Sequence, residues 1–125
     1  MKKKGKLIAR VLVGLMMVIF GLNGFLNFIP MSPSPEPAWN FMGAMAEAGY
    51  FLPMVKGLEI VAGVLLLTGK YIRAALVILT PIMLNAFLFH LFLNIAGIGG
   101  ALVAFSLTIY LITTEWNGFK QLVKA

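Results

Sequence analysis

The chain has no cysteine, one histidine and only four acidic residues in 125, and each shortage removes a class of chemistry. Without cysteine there are no disulfides, no thiol redox step, no haem attachment through CxxCH, and no cysteine-ligated zinc or iron–sulfur site. One histidine and scattered carboxylates do not assemble a metal first shell. GxGxxG, GxSxG, HExxH and the P-loop are also missing, so no catalytic residue is assigned from motifs. Any electron chemistry has to come from a borrowed cofactor or a partner subunit.

Charge is scarce too. Charged residues make up 11% against 61% hydrophobic, where soluble domains carry about 25% charged residues. A chain this short has too little interior to hide that much apolar surface from water, so a lipid bilayer must cover the rest. The net charge of +6 would raise nucleic acid as a partner in a soluble protein. Here the bases lie beside apolar segments and act as topology signals, so no nucleic acid is expected.

The apolar sequence divides into four membrane-length spans. The first, residues 7–29, follows a basic cap and is interrupted only by Arg10, Asn23 and Asn27. A signal peptide has the same order of basic and apolar residues, but the run is too long and no Ala-x-Ala site follows, which favours a retained helix. Gly14, Gly21 and Gly24 share a stripe with Arg10, the pattern that lets a neighbouring helix approach closely. MSPSPEP (31–37) reads as a rigid connector. Residues 38–50 have helical spacing but are too short to span, and Trp39 and Tyr50 favour an interface. They are expected to form a short interfacial or re-entrant helix ending at Gly49, an external loop being the alternative. Spans two, three and four cover residues 51–68, 72–93 and 95–114, joined by a basic turn at 69–73 and the glycine-rich NIAGIGG. The tail from Glu115 is amphipathic. The expected fold is an all-α integral membrane four-helix bundle, a single domain over 1–125.

With the N-terminus inside, nine of the ten bases fall on the inner side, and only Lys56 faces outward. That asymmetry is what the positive-inside rule demands of a four-span protein with both termini cytoplasmic.

Polar residues inside the spans need a reason, since an ionisable group in hydrocarbon costs at least ~2.5–3.5 kcal/mol on insertion scales. Glu59 lies eight residues into span two, about 12 Å from its outer start. Asn85 and His90 fall in the outer half of span three, and Asn23 and Asn27 in the outer half of span one. Lys56, Glu59 and Gly63 repeat at i, i+3, i+7 on one face, so Lys56 and Glu59 can pair. One reading is an outer-leaflet pocket lined by Glu59, His90, Asn85, Asn23, Asn27 and Lys56, with Glu59 and His90 handling protons or ligand. The other is interhelical hydrogen-bond glue with no ligand. Asn85 and His90 stand five apart, about 140° around a helix, so they meet in one pocket only if Pro81 distorts the span.

Arg10 with the later GLNG, AEAGYFLPMVKGLEIVAGVLLL, the turn GKYIRAAL and LTPIMLNAFLFHLF together resemble the DoxX family of small bacterial membrane proteins, over roughly residues 7–114. The resemblance implies a four-helix bundle of the bacterial cytoplasmic membrane, with family positions at Glu59, Gly63, Arg73 and His90. The family name comes from a subunit associated with a thiosulfate–quinone oxidoreductase. By resemblance, then, the chain is an accessory subunit of a quinone- or redox-linked membrane system, with quinone as candidate cofactor and a membrane oxidoreductase as candidate partner. A small proton-coupled transporter and a non-catalytic scaffold are the alternatives.

Overall fold

The structure, a computed structural model, describes residues 2–26 and 34–124. It is all-α. Helices α1 (Lys2–Leu26), α3 (Phe51–Thr68), α4 (Ile72–Leu93) and α5 (Ile98–Thr114) are the four long elements, α5 being preceded by a 3₁₀ turn at Ile95–Gly97. Two shorter helices accompany them, α2 (Glu36–Glu47) and α6 (Trp116–Val123). All four long segments are apolar and long enough to cross a membrane.

The boundaries differ from the sequence expectation at four places: α2 ends at Glu47 rather than Gly49, the α-helical part of span four starts at Ile98 rather than Ile95, and the starts of α1 and α2 also move. α1 starts at Lys2 rather than Leu7, because lysines are good helix formers and nothing in KKKGK breaks the backbone ladder. Its expected end at residues 27–29 lies outside the described residues. α2 starts at Glu36, with Pro35 as N-cap and Pro37 in the first turn. Proline is tolerated there because the first-turn N–H groups have no intrahelical acceptor to lose. The last residues of MSPSPEP therefore open the helix instead of only preceding it. Gly49, at φ 83°, separates α2 from α3.

α1 packs on α3, α3 on α4, α4 on α5 and α5 back on α1, closing a four-helix ring. Its centre is small: Ala9, Val13 and Met17 from α1, Leu66 from α3, Leu76 and Leu79 from α4, and Leu111 from α5. Thr108 is fully buried among them and donates its hydroxyl to the Ala104 carbonyl, which leaves no polar cost there. No span has more than 28% of its apolar window buried inside the protein. Ile8, Phe25, Val61, Val77 and Val103 point outward with half or more of their surface free. That outward apolar surface belongs in a bilayer.

The tightest contact joins α1 to α3, and glycine makes it possible. A Cβ on Gly14 would lie 3.0 Å from the Gly63 carbonyl oxygen, and one on Gly63 would lie 2.9 Å from the Gly14 carbonyl. Seven residues further along α1, a Cβ on Gly21 would sit 3.0 Å from the Lys56 carbonyl oxygen. The glycine stripe read in the sequence thus faces α3, backbone against backbone.

α3 ends at Gly69, whose φ of 74° forms a left-handed cap. The Gly69 and Lys70 N–H groups both donate to the Leu65 carbonyl. Arg10 reaches across from α1 and donates to the Leu66 carbonyl at 3.0 Å. This gives a partner to one of the carbonyls that a helix end leaves orphaned.

Candidate functional site

α2 packs against the ends of α3 and α4 away from the chain termini, and a cavity of about 360 Å³ lies between the three helices. Phe41, Met42 and Met45 of α2 form one wall. Phe51, Leu52 and Val55 of α3 form the second, and Pro81, Ile82, Ala86 and Phe89 of α4 the third. The Phe41 and Phe89 rings, both in the lining, touch with centroids 5.6 Å apart and join α2 to α4. The volume falls near the lower end of small-molecule sites, about 300–1,000 Å³.

Three polar side chains interrupt this lining: Lys56, Glu59 and Asn85. Glu59 is 7% exposed, and its Oε2 accepts from the Lys56 ammonium at 3.3 Å. The i, i+3 spacing on α3 puts the two groups on one side of the helix. Lys56 can lie there because its aliphatic stem passes over Gly24 of α1, where a side chain would collide with it. Gly63, on the same face one turn further, is taken up by α1 and does not reach the cavity. Asn85 follows Pro81 by one helical turn on α4, and both line the cavity.

His90 is not among the cavity's lining residues. Its Nδ1 lies 3.3 Å from the Asn94 carbonyl oxygen, and its ring meets Phe89 edge-on at 5.2 Å. Gly97 stands directly beside the imidazole. Asn94 in turn donates to the Ser34 hydroxyl at 3.1 Å, tying the end of α4 to the start of the α2 segment. Five residues on a helix carry His90 away from Asn85, and Pro81 does not bring them together. Asn23 is half-buried on α1, next to the glycine crossed by Lys56, and is not in the lining either. Asn27 lies outside the described residues. Of the six candidate positions, three converge.

Sequence reasoning missed a second polar centre at the opposite end of the bundle. Glu115, at the α5–α6 junction, accepts from Lys6 of α1 and from Arg73 Nε of α4, the latter at 2.8 Å. Arg73 reaches it by lying across Gly118, where any side chain would block it. Burial pushes the Glu115 carboxyl up, but hydrogen bonds from Lys6 and Arg73 and their charges outweigh it and hold the group below the usual carboxylate range. The signal was present in the sequence: Glu115 is the one acid beside nine bases. Among the described residues no three histidine or acidic side chains converge as metal ligands would.

The family model for DoxX matches residues 5–91, from the first turns of α1 almost to the end of α4. The match stops before α5, short of the 7–114 that the resemblance suggested. No curated protein and no solved structure matches the chain. With well over half its length matched, the chain belongs to the DoxX family.

Proposed function

We propose that this member of the DoxX family is a ligand-binding subunit of a quinone- or redox-linked membrane system, and that the cavity between α2, α3 and α4 holds the ligand. The observation that carries the reading is the lining itself. A charged pair and one amide interrupt aromatic and methionine walls, the combination that suits a flat ring with polar edges. Phe51 and Phe89 offer aromatic surface, and Met42 and Met45 adapt to an irregular outline. The Lys56 ammonium and the Asn85 amide supply donors for a ring carbonyl, while Glu59 holds Lys56 in place. A bound quinone would supply the two-electron chemistry, with electrons coming from a partner protein.

On this reading the basic end of the bundle faces the cytoplasm of a bacterial inner membrane, as the positive-inside rule directs, and the cavity lies in the opposite leaflet. Proton-coupled transport required a carboxylate and an imidazole acting together. With His90 outside the lining, no observation favours it.

The test is titration of the purified protein in nanodiscs with a short-chain quinone analogue, read by quenching of Trp39, which lies on α2 beside the cavity wall. Saturable binding is expected, weakened about tenfold or more by Glu59→Gln, which frees Lys56 from its ion pair, and by Asn85→Leu, which removes an amide donor. His90→Ala should leave it unchanged. Binding that is absent, or that is unaffected by both cavity variants, refutes the assignment.

A further inference from the structure

The end of the bundle holding the chain termini is electrostatically one-sided. Nine of the ten bases belong to it, against the single acid Glu115. Three helices start there, α1, α4 and α6, and two long ones, α3 and α5, end there, so the helix dipoles largely offset one another and the excess charge is carried by side chains. Such an excess of basic side chains makes a local positive potential that attracts anions.

A groove lies among these side chains. It runs between α1 and the α3–α4 turn, and Lys3, Lys6 and Arg10 face Thr68, Gly69 and Ile72 across it. Its volume is about 470 Å³. The donors in it are only partly used. Lys3 makes no ion pair among the described residues, Lys6 gives one contact to Glu115, and Arg10 gives one N–H to the Leu66 carbonyl and keeps the rest. The Thr68 hydroxyl hydrogen is committed to the Val64 and Leu65 carbonyls, so the free donors are cationic. Leu7 and Ile72 make the groove amphipathic, and exposed Leu7 and Ile8 continue its apolar side along α1 towards the hydrocarbon.

From this arrangement we propose that the groove binds the phosphate of an anionic phospholipid, with Lys3, Lys6 and Arg10 as donors and the acyl chains lying along α1. A free phosphate ion meets the same donors but has nothing to place on Leu7 and Ile8. A lipid uses both the charge and the apolar continuation, which is why the lipid is favoured. The site is independent of the cavity at the other end.

The test uses the full chain, purified in detergent, exchanged into defined lipid and examined by native mass spectrometry. Phosphatidylglycerol should remain bound where phosphatidylcholine is lost. Lys3→Gln should weaken retention about fivefold and Lys3→Gln/Lys6→Gln about thirtyfold, as expected for lysines at an anionic lipid surface. Lys3→Gln disturbs no ion pair, so its thermal unfolding in phosphatidylcholine should match the parent and separate lipid loss from misfolding. Millimolar inorganic phosphate should fail to displace the lipid. Equal retention of both lipids, undiminished retention in the double variant, or displacement by inorganic phosphate overturns the proposal.

Discussion

Arg10 and Leu66 are 56 residues apart in sequence, yet the Arg10 guanidinium donates to the Leu66 carbonyl at 3.0 Å. The contact closes the C-terminal end of α3 from the side, against a glycine that leaves room for it. Replacing Arg10 with alanine removes a charge-assisted bond and leaves a helix-end carbonyl without its partner. It should cost about 1–3 kcal/mol. Thermal unfolding in detergent should show a lower midpoint, with Arg10→Lys recovering only part of the loss because an ammonium lacks the planar fork.

The α1–α3 glycines should be sharply position-dependent. Gly14→Ala, Gly21→Ala and Gly63→Ala each drive a methyl against backbone atoms that cannot move alone. Each should destabilise by about 1–3 kcal/mol. Gly57→Ala, on the same helix as Gly63, meets nothing within 4 Å and should be neutral or stabilising, by up to about 1 kcal/mol. Unfolding midpoints across the four variants check the contrast.

Lys56 and Glu59 should be strongly coupled. Lys56→Met leaves a buried carboxylate without its cation and should destabilise more than Lys56→Met/Glu59→Gln, in which neither charge remains. A double-mutant cycle on unfolding free energy should return a coupling of about 1–3 kcal/mol. Additive single effects would show that the pair is not formed.

Glu115 predicts an acid-sensitive bundle. Its folded-state carboxyl titrates below the ordinary value of 4.5. The stability it contributes is therefore fully present above that value and is lost as pH falls through the lower folded value. Between the parent and Glu115→Gln, the difference in unfolding midpoint should be constant from neutral pH to about pH 5 and shrink below it. At neutral pH the variant should lose about 1 kcal/mol, since both cations are partly in solvent.

Much of the fold was legible because membrane helices announce themselves by length and hydropathy. Spans two and three run over 51–68 and 72–93 as read. The glycine stripe on α1 was also visible, though not which helix it faced, because spacing names a face and not its neighbour. The candidate site was half legible. Lys56 and Glu59 are local in sequence, so helical geometry alone pairs them. Asn85 joins them only through the packing of α4 on α3, and His90, five residues further along α4, points elsewhere and is not in the lining. Depth follows from counting residues, whereas azimuth depends on packing that one sequence does not print. α2 became a cavity wall for the same reason. Its sequence spelled an interfacial helix, and nothing in that spelling said it would lean Phe41 against Phe89.

The Lys6–Glu115–Arg73 cluster also carries a consequence for how the bundle closes. Its two cations sit on α1 and α4, whereas their common carboxylate lies beyond the end of α5. In a chain cut before α5, Lys6 and Arg73 would have no anion between them, and the ring would have three helices. Glu115 comes with the fourth span and bridges both cations, its single negative charge shared between them. The last span to be made is therefore also the latch. A chain truncated before it should stay splayed, however well its first three spans are inserted.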